Sequence, residues 1–465
     1  MVSDQPNLFE RNAREKEFDM HKVFLARKFF WPAIAAALLL LLLFVAAYRA
    51  RPAAAQMASS DGMVCTTGAS PNPTFVLTTR TGYIGTPDGN VVFMWGLSEG
   101  GNPFQHPSPV LCVNEGDTVT IILHNTLSQD ISLIFPGQEN VLADGQPAQP
   151  QFDAGGLLTS LAPVAAANGG SVTYSFVASH PGTFLYESGT NPGIQVRMGL
   201  FGALVVRPVI ASDPNGGRYF AYNDAGAAVT SEFNHSPSGE VLILQSEVDP
   251  YLSQAIERGQ GFNLNNYHPR YWLVNGRGFP DTIAPNYASW LPSQPYGALA
   301  HVQPVDSSNP LWYMERFINV SSQPLPFHPH GKNAVVIGRD GQPVRGDAGE
   351  DLSFERFALV AAPGQTYDSL FHWHNREGYD SATNPVPVVD PGWANLQYGM
   401  YYSGSPYLGM TGPFPPGMST MSECGEYYII AHNHALFQLT SWGVPMTGPG
   451  TFMRVDPPGG CSPMP

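Results

Sequence analysis

At 465 residues, 43% of them hydrophobic and 13% charged, the chain is long enough for two or three domains with their own cores and too apolar for a disordered polymer. Its net charge of −15 is unevenly spread: residues 1–51 carry eight Lys/Arg against five Asp/Glu, and the remainder carries fourteen against thirty-two. So acidic a main part excludes nucleic acid as an expected partner and favours metal cations, basic proteins or cationic donors.

Residues 1–28 form a basic N-terminus, and residues 29–48 are an almost unbroken run of Ala, Leu, Phe and Val. About 20 apolar residues suffice to cross a bilayer as a helix. Lys22, Arg27 and Lys28 precede the run and Arg49 and Arg51 follow it, with the wider flank more basic on the N-terminal side. The positive-inside rule then predicts a single-pass protein with a cytoplasmic N-terminus and its main domains periplasmic or extracellular. A cleaved signal peptide ending near Ala53-Ala54-Ala55 is the alternative reading. The long stretch before the run and the length of the run itself favour an uncleaved anchor. Residues 49–72, rich in Ala, Ser and Gly, read as a tether.

Export permits disulfides, and the four cysteines allow three pairings, of which Cys65 with Cys112 and Cys424 with Cys461 keeps each bridge within one domain. From residue 73 to 209 short apolar runs alternate with turn residues, as in an all-β sandwich, with strands expected at residues 119–123 and 203–206. A Gly/Asn/Asp-rich linker at 210–240 leads into a second domain at 241–443, which opens on a buried-strand pattern at 241–248 and a short helix near 250–259.

The chemistry-bearing stretch of that second domain is Pro326-Phe327-His328-Pro329-His330-Gly331, read together with Ala431-His432-Asn433-His434. On a strand, side chains at i and i+2 leave the same face, so each stretch presents a matched pair of imidazoles. Two such strands side by side would converge four nitrogens on one place, a donor set that suits copper, zinc, iron or nickel and could hold one ion or share two. A single His-x-His is more often a pair of surface histidines, and the presence of two such pairs changes that balance. His372 and His374 form a third pair, as readily a solvent-facing strand edge as further ligands.

An insertion at 375–424 carries Met400, Met410, Met418 and Met421 with several tyrosines and reads as a lid or binding loop. Its thioethers suit cuprous ion, and they equally suit gap filling. The Pro/Gly-rich tail at 444–465 is expected to lie over the surface.

The flanks of these histidines resemble multicopper oxidases. Phe317-Ile318-Asn319-Val320, the Pro326 to Gly331 stretch and Val335-Val336-Ile337-Gly338-Arg339-Asp340-Gly341 are similar to a copper-binding cupredoxin domain, and Tyr427 to His434 to its closing strand. In the first domain, Val113-Asn114-Glu115-Gly116-Asp117 and Gly199-Leu200-Phe201-Gly202-Ala203 carry the same likeness. The resemblance implies two cupredoxin-like Greek-key β-sandwich domains, so the expected fold is all-β, with these two domains preceded by the one N-terminal transmembrane helix read from residues 29–48. It also implies that His328, His330, His432 and His434 fall on positions that bind a trinuclear copper centre.

The departures are as specific as the matches. Where the family has the type 1 copper ligands, this chain has Asn433, Leu325 and Gln438, with Trp442-Gly443 in place of Gly-Met. A blue site without its thiolate is not expected to form, although Met446 lies nearby. The first domain has Ile134-Phe135-Pro136-Gly137 and Tyr186-Glu187-Ser188-Gly189 where the family has histidines. Glu187 reads as an ordinary polar residue before it reads as an oxygen ligand.

Two function classes follow. One is a copper-dependent oxidoreductase taking electrons from a small-molecule or protein donor. The other is a non-catalytic protein that stores or passes on copper or scaffolds an envelope complex. Assembly into a homo-oligomer is compatible with either class.

Overall fold

The computed structural model describes residues 61–210, 219–236, 238–374 and 427–456, with two short strand pieces at Gly412–Pro413 and Met421–Ser422. The expected anchor at 29–48, the Cys424–Cys461 bridge and the methionine side chains of the insertion lie outside the described residues. Among the described residues no helix is long and apolar enough to cross a membrane.

Two main sheets form the first half, with a small two-stranded sheet of Gln151–Phe152 and Leu158–Ser160 beside them. A five-stranded sheet runs in the order Thr66–Thr67, Leu111–Asn114, Phe201–Arg207, Gly182–Ser188, Leu133–Ile134, and a six-stranded sheet is centred on Thr74–Gly85, Thr118–His124 and Ser171–Val177. Alternation explains the core between them. Val119, Ile121 and Leu123 point inward from one strand and meet Phe176, Tyr174 and Val172 directly across the antiparallel register of the next. Cys65 and Cys112 are joined by a disulfide, as expected, with Cα atoms 5.5 Å apart.

The second half repeats this plan. Its larger sheet has nine strands and its centre is Thr366–Phe371, Tyr313–Asn319, Glu240–Val248 and Tyr271–Val274. Facing it is a five-stranded sheet in the order Ala300–Val302, Gly450–Val455, Tyr427–Asn433, Leu325–Pro329, Leu359–Ala361. Every residue of Glu240–Val248 is buried, because the strand packs on both faces. Val241 and Ile243 enter the second core, while Leu242 and Leu244 join Leu185, Phe201 and Val205 of the first half in an apolar seam. A strand covered on both faces reads as a near-continuous apolar run, and this is why the sequence marked it so clearly.

Polar groups cross the same seam. The fully buried guanidinium of Arg316 meets Glu240, Asp368 at 3.1 Å and the Thr183 hydroxyl at 2.9 Å, and Arg207 adds a second cation 2.7 Å from Glu240. Burial by itself would push Glu240 up, but the two guanidiniums outweigh it and hold its carboxyl down at about 2.

Two expected boundaries are corrected here. The tail expected on the surface from residue 444 supplies Gly450–Val455, a wholly buried strand between Tyr427–Asn433 and Ala300–Val302. The expected linker at 210–240 is partly folded, with Phe220 bridging to Glu232 and with Tyr222 and Phe233 buried against Met314 and Ile337. In both places turn residues dominate the composition and hide short segments whose burial comes from distant partners.

Candidate metal centre

The histidine strands are neighbours. Leu325–Pro329 pairs antiparallel with Tyr427–Asn433 so that His328 lies directly opposite His432, flanked by the pairs Phe327 with Asn433 and Pro329 with Ala431. The alternation sends Phe327 and Ala431 into the second core, which leaves the imidazoles on the opposite face. Backbone bonds from His330 N to Ile430 O at 2.9 Å and from His434 N to Pro326 O at 2.7 Å extend the pairing beyond both strand ends.

The four rings therefore form one group. Centroid separations are 4.8 Å for His328–His330, 5.0 Å for His330–His432, 5.2 Å for His328–His434, 5.7 Å for His432–His434 and 5.8 Å for His328–His432. His432 is buried, His328 half-buried, and His330 and His434 reach the surface. At the centre, His330 Nε2 and His432 Nε2 stand 3.0 Å apart.

Backbone carbonyls orient two of the rings. His432 Nδ1 lies 2.8 Å from Asn433 O, and His328 Nδ1 lies 2.6 Å from Phe357 O. A carbonyl only accepts, so each Nδ1 carries the proton and each Nε2 keeps its lone pair. That arrangement, one ring nitrogen donated to a carbonyl and the other left as a base, is the one usual behind metal-ligating histidines. Desolvation by the packed rings, together with the neighbouring imidazoles, pushes His330 down to about 4, and burial likewise lowers His432. Both are neutral near pH 7, the state a metal requires.

The donor set fits copper in kind and partly in position. With metal–nitrogen bonds of about 2.0–2.1 Å, two imidazoles on one tetrahedral ion stand roughly 3.3 Å apart, close to the spacing of the central pair. Among the described residues no group of three or more His, Cys, Asp or Glu side chains is placed so that it could hold a metal ion as it stands. The convergence is that of an inner pair with two rings beside it.

The other predicted residues are placed elsewhere. His372 and His374 follow Thr366–Phe371, a strand of the opposite, nine-stranded sheet, and lie 4.5 Å from each other by ring centroid. His372 packs on Trp312 at 3.9 Å, and His374 Nδ1 lies 3.1 Å from Val305 O. Glu187 sits opposite Ile134, the place in the first half that corresponds to His432 opposite His328 in the second. Burial there pushes its carboxyl up to about 7.

Where a type 1 copper would sit, amides satisfy one another. Buried Asn433 donates from Nδ2 to Gln438 Oε1 at 2.8 Å and accepts from Ala435 N at 2.9 Å, and Gln438 donates to Gln323 Oε1 at 3.0 Å. Leu325 is fully buried. The Phe357 carbonyl is the functional contact that the sequence did not reveal, since a backbone acceptor carries no side-chain signature.

Paired β-sandwiches with two His-x-His strands side by side define a cupredoxin-like architecture with an imidazole-rich face. Residues 104–209 match the multicopper oxidase family. Copper resistance protein A of Escherichia coli is 24% identical over 316 residues, covering 61% of this chain and 48% of that protein. L-ascorbate oxidase of Cucurbita maxima is 31% identical over 211 residues, 43% of this chain and 31% of that protein. Among solved structures, a blue copper oxidase from Nitrosomonas europaea (TM-score 0.52, 17% identity, 83% of this chain and 86% of that one) shares the fold. So does the multicopper oxidase mgLAC (TM-score 0.51, 17% identity, 83% and 87%). The chain is thus similar to multicopper oxidases, with the family match at residues 104–209, and it carries other residues at the positions that resemble the type 1 copper ligands and the first-domain histidines. It spans about half the length of the first of those curated relatives and under a third of the second.

Proposed function

We propose that this protein is a membrane-anchored, extracytoplasmic copper-binding member of its family, with His328, His330, His432 and His434 as the ligands and an oxidoreductase activity served by that site. The observation that carries the reading is the 3.0 Å approach of His330 Nε2 to His432 Nε2 within a group of four rings on paired strands. The family implies copper, and four neutral imidazoles are a donor set it accepts. Bound copper would supply one-electron chemistry. The residues themselves would hold and orient: the Asn433 and Phe357 carbonyls fix the tautomers of His432 and His328, and binding of one ion by all four rings would require the outer two to turn in. Residues 29–48 are the proposed anchor, with the main domains periplasmic or extracellular.

Copper storage or transfer without catalysis is the second reading, favoured by the amide network that fills the type 1 position and so removes the usual inlet for electrons. Elemental analysis and an electron paramagnetic resonance spectrum of the purified protein test the site. One tightly held copper with a type 2 signal, lost in the His330→Ala/His432→Ala variant, is the expected result. Unchanged stoichiometry in that variant places the metal elsewhere, and bound zinc in place of copper refutes the choice of ion. Oxygen consumption with a reducing donor then separates the enzyme from the store.

A further inference from the structure

The pair Trp442-Gly443 finds no use in the copper site. Thr440–Ser441 and Val444–Pro445 pair antiparallel, with Ser441 opposite Val444, so Trp442 and Gly443 are the whole turn of a two-residue hairpin. Their φ angles are +49° and +82°. Positive φ at both positions is the turn for which Asn-Gly is strongly preferred, and a bulky indole at the first position is a strained choice. Burial does not explain it, because Trp442 is 44% exposed. Strain held without burial is a pointer to use, and it gains weight from what surrounds the ring.

Trp442 is one wall of a cleft of about 490 Å³ at the meeting of the two halves. Tyr83 and Asp88 come from the first half, Tyr251 and Glu257 from the helix Pro250–Glu257, and Tyr271 from the strand beside the hairpin. The Trp442 ring lies 5.7 Å from Tyr251 and 6.1 Å from Tyr271 by centroid, with planes inclined at 55° and 57°, so the rings flank the space obliquely and do not stack on one another. Both carboxylates are held in place. Asp88 accepts from Thr86 at 2.6 Å, from Asn90 at 2.9 Å and from the Tyr271 hydroxyl at 3.1 Å, and Glu257 accepts from the Tyr83 hydroxyl. Partial burial acts to raise Asp88, yet these bonds leave it below the ordinary carboxylate range and therefore charged at neutral pH. Among the described residues no lysine or arginine lines the cleft.

We propose that this cleft binds an organic ammonium ion, a protonated or quaternary amine on a small apolar body. Aromatic faces attract cations through the ring quadrupole, tryptophan most strongly, and the two anchored carboxylates supply the opposite charge. A neutral ligand of the same shape would gain only the apolar contacts, and an anion would be repelled. The site is independent of the histidine face, so it can be tested on metal-stripped protein.

The probes are choline and phenyltrimethylammonium, with 3,3-dimethyl-1-butanol as the neutral analogue of choline, titrated by calorimetry into the full-length protein in detergent after chelation. At least one ammonium probe is expected to bind saturably and about tenfold more tightly than the alcohol, a ratio that corresponds to about 1.4 kcal/mol of cation attraction. Trp442→Asn restores the favoured turn while deleting the ring, so it should leave the thermal midpoint unchanged or raised and weaken the ammonium ion roughly tenfold or more. Asp88→Asn should weaken it several-fold and leave the alcohol unaffected. Equal binding of cation and alcohol, ammonium binding undiminished in both variants, or no saturable ammonium binding would each overturn the proposal.

Discussion

The two halves of this molecule are built on one plan and carry different side chains at corresponding positions. In each, a strand at the heart of the five-stranded sheet pairs on one side with a long strand and on the other with a short one. Gly182–Ser188 lies between Phe201–Arg207 and Leu133–Ile134, and Tyr427–Asn433 lies between Gly450–Val455 and Leu325–Pro329. At corresponding register positions the second half has His432 opposite His328 and the first half has Glu187 opposite Ile134. The framework is the same and the donors are not. The comparison teaches that the sandwich does not depend on the side chains at these register positions: inward residues such as Phe184, Tyr186 and Phe327 build the cores, while the outward positions are open to change.

The sharpest way to break the comparison is to cut the polar seam that joins the halves. Arg316→Met leaves Glu240 and Asp368 buried with one cation fewer, and is expected to cost about 3–5 kcal/mol, read as a lower midpoint in thermal or urea unfolding. The same variant should alter acid behaviour. The folded pKa of Glu240 is depressed to about 2, so its stabilisation is present above about pH 4.5 and disappears as pH falls toward 2. Wild-type protein should lose stability across that window, and Arg316→Met should lose less there, having less to lose. Identical acid profiles would show that the network does not act as described.

Removing the disulfide probes the first half alone. Cys65→Ser/Cys112→Ser opens a loop with a sequence separation of 47 and is expected to cost about 2–4 kcal/mol. If the seam makes one cooperative unit, calorimetry will show a single transition at lower temperature. Two transitions, with only the first half shifted, would mean that the halves unfold separately.

A smaller effect sharpens the contrast between Glu187 and His432. Burial raises the Glu187 carboxyl to about 7, so the unfolded state loses its proton more readily and stability falls as pH rises from about 4.5 to 7. Glu187→Gln should therefore stabilise the protein at pH 8 by about 1 kcal/mol, a figure discounted for its partial exposure, and do nothing at pH 4. Equal midpoints at pH 8 would mean that the carboxyl is well solvated or paired in solution.

Much of this was legible in advance. Strands 119–123 and 241–248 carried their period and their β-branched residues openly, and the two His-x-His stretches announced a shared face because a strand's side-chain period is two. What stayed hidden depended on distant contacts. The strand Gly450–Val455 sits among prolines and glycines, and only its neighbours Tyr427–Asn433 and Ala300–Val302 reveal it. His372 and His374 share the local pattern of the other two His-x-His pairs, and the pattern could not say which of the two sheets they follow.

The sequence by itself determined the all-β class, the histidine pairs and the departure from the type 1 ligand pattern, because each is written in residue identity and local spacing. Only the tertiary structure decided that His328 would face His432, that carbonyls of Asn433 and Phe357 would orient the rings, and that Trp442 would wall a cleft between the halves. Those features arise where segments far apart in the chain are brought within a few ångströms, and register and packing fix such contacts where local preference is silent.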